Sequence, residues 1–182
     1  MSRLRRMVLL LAIMLACVGC DQASKVAARA QLRHGPVISL LGDTLRLQYI
    51  ENPGAFLGLG GSLSDGVRHA LFVVGVGVAV ALLVAYALVR AARHGSLFQM
   101  VALALVCGGG VGNLIDRIVR DGRVVDFLNV GVGPLRSGIF NVADVVLLAG
   151  AALLVWSGRE ARDVTPPRGA PPPPARPPTA PA

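Results

Sequence analysis

Charge is scarce in this chain. Asp, Glu, Lys and Arg make up 15% of its 182 residues, where a soluble domain carries about a quarter. With 54% hydrophobic residues and a mean hydropathy of +0.64, that shortage points to a membrane. Aromatics are scarcer still, at 4%, so Ala, Val, Leu and Gly carry the apolar content and suit close helix packing in lipid. The same lack argues against nucleic acid as a partner. The pI is near 10.9, but the arginines are scattered among apolar runs and no basic stripe interleaves with aromatics. The three cysteines, Cys17, Cys20 and Cys107, lie in apolar segments, and His34, His69 and His94 are spread over different ones. No zinc-ligand set can be drawn from them, and the cysteines are expected to be small buried apolar residues. A His-Glu-x-x-His motif is absent, and Ser, Cys and His do not occur together on the outer side of the expected spans. Metalloprotease and nucleophilic hydrolase chemistry therefore lack their parts. The length suits one compact bundle and leaves no room for a second domain.

Long apolar runs are what the chain has. Ser2-Arg3-Leu4-Arg5-Arg6 precedes the uncharged residues 7–20, in the manner of a secretory leader. Cys17-Val18-Gly19-Cys20 even suggests a lipoprotein cleavage site. Cys17, however, stands where such sites favour a Leu-like side chain, and residues 21–30 keep helical propensity without a turn residue. A retained first span at about 7–28 is the expectation, with Asp21 and Lys25 paired at i, i+4. Further spans are expected at about 69–90, 96–118 and 138–157. A basic turn at 90–95 joins the second to the third, and Gly108 and Gly112 form a small-xxx-small pair. Between about 31 and 66 two β-prone runs, 37–41 and 44–50, meet at Gly42-Asp43 as a hairpin. Leu45, Leu47 and Tyr49 alternate there with Arg46 and Gln48. A Gly-rich loop, Asn52 to Gly61, follows; alone it would be an ordinary Gly-Pro turn. The predicted fold class is mainly α, a polytopic membrane protein with four transmembrane helices and a small periplasmic β-hairpin or sheet. Residues 1–158 form its single domain and 159–182 a disordered Pro/Ala/Arg-rich cytoplasmic tail. Basic residues divide evenly between the two sides, but they are denser beside the spans on the side of the termini. That places both termini in the cytoplasm.

Ionisable groups at membrane depth are costly, so a cluster of them marks a candidate site. Asn113, Asp116 and Arg117 are spaced i, i+3, i+4 on one helix face. Asn141 and Asp144 are i, i+3 on the fourth span, with Asp144 about four residues, roughly 6 Å, inside it. Arg117 needs an acid, most simply Asp116. Asp126 and Asp144 then remain as a candidate carboxylate pair that shares one proton, one acting as general base on water and the other as general acid. No metal, cofactor or covalent intermediate is needed. On spacing alone, two other readings stay open: a salt-bridged structural cluster that serves a scaffold, and a small membrane transporter.

Five stretches together resemble the signal peptidase II family. They are Asp21-Gln22-Ala23-Ser24-Lys25, Asn52-Pro53-Gly54-Ala55-Phe56, Gly108-Gly109-Gly110-Val111-Gly112-Asn113-Leu114-Ile115-Asp116-Arg117, Val124-Val125-Asp126-Phe127 and Phe140-Asn141-Val142-Ala143-Asp144. The resemblance spans about residues 7–157. It implies an inner-membrane aspartic endopeptidase that cuts prolipoproteins just before a diacylglyceryl cysteine; one chain has all the parts, so a monomer among membrane lipids is the expectation. By the same resemblance Asp126 and Asp144 are the catalytic dyad. Asn52, Gly54, Asn113, Arg117 and Asn141 hold substrate or orient the dyad, Asp21 and Lys25 support the site from the first helix, and Asp116 partners Arg117. Pro53 after Asn52, and Leu57 between Phe56 and Gly58, depart from the family pattern. The hairpin and the Asn52 loop are expected to close over the peptide as a lid.

Overall fold

An uncharged stretch flanked by arginines makes a helix as soon as its ends are satisfied. The first does so when the Ser2 hydroxyl accepts a hydrogen bond from the Arg5 backbone N–H at 3.4 Å. In a computed structural model describing residues 1–54, 59–93 and 96–163, this helix, α1, is Arg3–Leu32. Its 30 residues reach about 45 Å at 1.5 Å per residue, which exceeds the roughly 30 Å hydrocarbon core of a bilayer. The last turns therefore meet the β-structure, where Ala28 and Leu32 pack against Val125 and Phe127. Helix α2, Asp65–Ala92, is α-helical except at His69–Gly75, where it is a π-helix. Leu71, Val74, Val78 and Leu82 on it are each at least half exposed, as side chains turned to lipid would be. Helix α3, Leu97–Val119, is central and packs on α1, α2 and α4, Val142–Asp163. Among the described residues α1, α2 and α3 are long and apolar enough to cross a membrane, while the apolar part of α4, Val142–Gly158, is shorter.

Glycine sets how closely these helices approach. A Cβ on Gly112 would stand 2.7 Å from the Asp21 carboxylate, and one on Gly109 would stand 2.5 Å from the Ala143 carbonyl oxygen and 3.0 Å from the Leu147 backbone nitrogen. The second clash is with backbone, which cannot swing aside. Gly109→Ala is therefore expected to cost about 1–3 kcal/mol by forcing α3 from α4, read as a lower melting temperature in detergent. An unchanged melting temperature would show that the helices separate without loss.

The β-structure is larger than a hairpin. Strands β1, Ile38–Leu40, and β2, Leu45–Asn52, pair antiparallel as the two β-prone runs predict. Leu41, Gly42 and Asp43 all take positive φ at the turn. To these the fold adds β3, Val124–Val132, and β4, Leu135–Arg136, in the order β1-β2-β3-β4. Val124-Val125-Asp126-Phe127, which the sequence puts in a polar connection between the third and fourth spans, thus lie in a strand. A bulge interrupts the β2–β3 register between Leu47, opposite Leu128, and Ile50, opposite Asp126. The fourth helix also begins later than expected. Phe140 bridges to Leu128 on β3, so the helix starts at Val142 and not near 138. The cysteines divide as well: Cys107 is buried as expected, Cys17 is half-buried, and Cys20 is exposed on the outer surface of α1. Helix α4 runs on to Asp163, so residues 159–163, expected to begin the disordered tail, are helical; the expectations for residues 164–182 and for the tip of the Asn52 loop, residues 55–58, lie outside the described residues.

Candidate active site

One end of the helix bundle, where α1, α3 and α4 meet β2 and β3, buries a cluster of charged and amide side chains. Lys25 and Asp21 are fully buried on α1, with Nζ and Oδ2 2.8 Å apart as their i, i+4 spacing predicts. Lys25 Nζ also lies 3.3 Å from Asp116 Oδ2 and donates to Asn113 Oδ1 at 2.9 Å. Its three protons thus have three acceptors, which is what a buried ammonium needs. Both carboxylates also accept from backbone, Asp21 through its other oxygen and Asp116 through the oxygen that faces Lys25. Asp21 Oδ1 accepts from the Ala143 N–H at 3.0 Å, and Asp116 Oδ2 accepts from the Val125 N–H at 2.9 Å. This ion cluster ties α1 and α3 to the first turn of α4 and to β3 at once. Gln22, which spacing did not single out, joins it by donating to Asp21 Oδ2, the Gly112 carbonyl and Asp116 Oδ1 at 3.1, 3.1 and 3.4 Å. An amide adjoining Asp21 on an apolar helix was the signal that could have found it.

A carboxamide chain runs from that cluster to Asp126 and Asp144. Asn113 accepts from Lys25 and donates through Nδ2 to Asp144 Oδ1 at 2.8 Å. Asn141, fully buried, donates through Nδ2 to Asp126 Oδ1 at 2.6 Å and to Asn113 Oδ1 at 3.1 Å. Asn141 and Asp144 also cap α4 reciprocally. Asn141 Oδ1 accepts from the Asp144 N–H at 3.0 Å, and Asp144 Oδ2 accepts from the Asn141 N–H at 3.1 Å, an Asn/Asp form of the capping box. Asp144 therefore sits in the first turn of α4, half-buried, and not a full turn inside an apolar segment. Asp126 is 2% exposed on β3. Because the bulge sets Ile50 opposite Asp126 and Asn52 opposite Val124, Asn52 stands diagonally across the strand pair from Asp126. Its Nδ2 donates to Asp126 Oδ2 at 2.9 Å, and its Oδ1 accepts from the Gly54 N–H at 2.9 Å.

Arg117 does not pair with Asp116. Its Nη2 donates to the Gly54 carbonyl at 3.1 Å and its Nη1 to the Asn113 carbonyl at 3.3 Å. It tethers the start of the Asn52 loop to α3. Asp116 takes Lys25 instead, with Arg120 Nε 3.4 Å from its Oδ1.

Asp126 and Asp144 differ from the other acids of the site. Neither has a cation within ion-pair distance among the described residues, whereas Asp21 and Asp116 both do. Burial pushes the Asp126 carboxyl up to about 6, the nearby Asp144 charge raises it further, and the amides of Asn52 and Asn141 pull the other way. Beside Asp144 an apolar cleft of about 500 Å³ opens along α4, lined by Phe140, Val145, Leu148 and Ala152 among others.

Apolar helices of membrane-spanning length around a buried centre of carboxylates and carboxamides define an integral membrane protein with a polar site at one end of its bundle. The chain belongs to the signal peptidase II family: the family model described as signal peptidase (SPase) II matches residues 13–158. It is 36% identical over 157 residues to the lipoprotein signal peptidase of Streptomyces griseus, covering 83% of this chain and 73% of that one. The lipoprotein signal peptidase of Moorella thermoacetica is 37% identical over 149 residues, covering 81% and 89%. Two solved structures of bacterial membrane enzymes share the fold. One has a TM-score of 0.72 at 24% identity, covering 88% of this chain and 93% of that one. The other has a TM-score of 0.66 at 25% identity, covering 81% and 90%. The family makes this chain a peptidase.

Proposed function

We propose that the chain is an aspartic endopeptidase that removes signal peptides from diacylglyceryl-modified prolipoproteins, cutting before the lipid-modified cysteine. The observation that carries this reading is the pairing of Asp126 and Asp144. Both hang on one carboxamide chain, neither has a cation within ion-pair distance among the described residues, and an apolar cleft starts at one of them. A structural or transport cluster would be expected to neutralise its acids, as Asp21 and Asp116 are neutralised here by Lys25. In the proposed reaction Asp144, the more accessible acid, takes a proton from water as the water oxygen attacks the scissile carbonyl. Asp126 gives its proton to the carbonyl oxygen. As the tetrahedral intermediate collapses, one of its hydroxyls returns a proton to Asp126, the C–N bond breaks, and Asp144 passes the proton taken from water to the departing amine. Asn52, Asn113 and Asn141 orient the two carboxyls, Gly54 and Arg117 hold the loop against which the substrate backbone lies, and Asp21, Lys25 and Asp116 brace the frame.

The apolar cleft suits the acyl chains of a substrate held in the bilayer, which fixes the depth of the scissile bond and supplies part of its orientation. Residues 1–158 act as one membrane domain in this reading. Helix α4 is a fourth span, both termini face the cytoplasm, the sheet and dyad lie at the periplasmic face of the inner membrane, and a monomer suffices. The test is cleavage of a diacylglyceryl prolipoprotein peptide in liposomes with a chelator present; well-folded protein that leaves the peptide intact refutes the reading.

A pH dependence follows. A shared proton must be present for catalysis, and Asp126 holds it below about 6. The kcat/KM profile of the free enzyme is therefore expected to decline on its alkaline side with an apparent pKa near about 6, a property of the coupled pair. Rates that stay level from about pH 5 to 8 would show that Asp126 is not the proton donor.

A further inference from the structure

A second cleft, polar and of about 310 Å³, lies on the flank of the same end of the molecule, where the last turns of α1 and α3 meet β2. Arg29, Arg33, Arg120 and Arg123 converge on it, and Glu51 and Asp121 are its acids. Arg29 on α1 and Arg33, the C-cap that keeps helical backbone angles, are i, i+4 and share a face. Both are exposed, and neither makes a hydrogen bond or ion pair among the described residues. Glu51 cannot neutralise them all. It accepts from the Tyr49 hydroxyl at 2.7 Å and stands 3.6 Å from Arg123 Nη1. Its carboxyl is held below the usual range first by that hydroxyl and then by Arg33, Arg123 and Arg29 together, which places three guanidinium groups around one carboxylate. Ile118 and Val119, just before Arg120, are 65% and 66% exposed, so apolar surface adjoins the cleft. In the proposed orientation, on which this one point rests, these arginines also stand on the side of the membrane that Lys and Arg ordinarily avoid.

We infer that this arginine cleft binds the phosphate group of an anionic phospholipid at the membrane–water boundary. Guanidinium donors grip phosphate oxygens in pairs, and the four groups carry more donors than Glu51 and Asp121 can accept. Free phosphate offers the same oxygens, but the exposed apolar end of α3 beside the cleft gives acyl chains a place that a free ion would leave unused. Arg120 links this cleft to the active site, since its Nε is 3.4 Å from Asp116 Oδ1. The lipid site itself is independent of the peptidase reading.

The test titrates full-length protein in neutral detergent with dioctanoyl-phosphatidylglycerol, dioctanoyl-phosphatidylcholine and inorganic phosphate, counting bound ligand by native mass spectrometry. Wild type is expected to hold one phosphatidylglycerol in clear preference to phosphatidylcholine. The Arg29→Gln/Arg33→Gln variant is expected to bind it about 30-fold more weakly. Arg3→Gln/Arg5→Gln removes the same charge at the other end of α1 and should bind as wild type. Arg29→Lys/Arg33→Lys should fall between, which separates guanidinium recognition from loss of fold; melting temperatures of all variants check the fold directly. Equal binding of the two lipids, or equal weakening by the Arg3/Arg5 variant, overturns the proposal. Inorganic phosphate that binds as tightly as phosphatidylglycerol overturns the lipid source and leaves a phosphate site.

Discussion

Replacing Asp126 or Asp144 with Asn is expected to lower cleavage of a diacylglyceryl prolipoprotein peptide by about 10³-fold or more, within the range general acid–base groups contribute. Asparagine matches the shape of aspartate and can neither accept nor release the catalytic proton. It also turns an NH2 group toward a neighbour that already donates. Asp126 accepts from Asn141 and Asn52, and Asp144 from Asn113 and the Asn141 N–H. Each variant thus loses one hydrogen bond as well as the acid, and a comparison must separate the two effects. Asn52→Ala supplies it, because it removes one hydrogen bond to Asp126 and leaves both carboxyls in place; a loss of about tenfold is expected there. Stability at pH 8 should change little in Asp126→Asn. The folded pKa of Asp126 is raised to about 6, so its protonated form favours the fold below the unfolded value, and that contribution is gone once pH passes about 6. At pH 8 wild type carries the cost of an ionised buried carboxylate that the variant does not. A Tm for Asp126→Asn far below wild type at pH 8 would mean that the activity loss reports misfolding.

Lys25→Met should be the most destabilising single change in the described fold. Lys25 is fully buried between Asp21 and Asp116 and holds Asn113. Removing one member of a buried ion cluster leaves the others uncompensated, typically at about 3–5 kcal/mol. For a chain of this size that is a melting temperature lower by about 10 °C. The damage should reach the active site, since Asn113 would lose the group that orients it toward Asp144. Arg46→Met is the control. It breaks the ion pair with Asp43, in which both side chains are more than a third exposed, and solvent screening should hold its effect within about 1 kcal/mol. Equal melting temperatures for the two variants would remove Lys25 from the frame of the site.

The helices are legible in the sequence because lipid demands long runs without charge, and residues 70–89 leave no other reading. Asp21 and Lys25 are legible for a related reason: at i, i+4 on such a helix they have each other and little else. The partner expected for Arg117 failed on helical geometry. Asp116 and Arg117 are adjacent, and adjacent residues point about 100° apart, so Asp116 turns to Lys25 while Arg117 reaches the Gly54 carbonyl. Strand β3 was hidden because its partner β2 lies more than seventy residues earlier, and pairing at that range leaves no local mark. Gly138-Ile139-Phe140 looks like the start of an apolar helix; the Leu128–Phe140 bridge draws it to the sheet instead. That bridge is what places Asn141 at the cap of α4, where its side chain meets Asp126 and its backbone meets Asp144. The identities of the candidate site residues were thus readable, while the roles of Asn113 and Asn141 as connecting groups required the fold.

The most direct measurement is the rate of cleavage by wild type, Asp126→Asn, Asp144→Asn and the double variant, in one liposome preparation with chelator present. Groups that act as a unit are non-additive, so losing the second costs nothing once the first is gone. The account predicts that all three variants fall to the same residual rate while wild type cuts at full speed. A single variant that still cuts at the wild-type rate, or a double variant whose loss is the product of the two single losses, would contradict it.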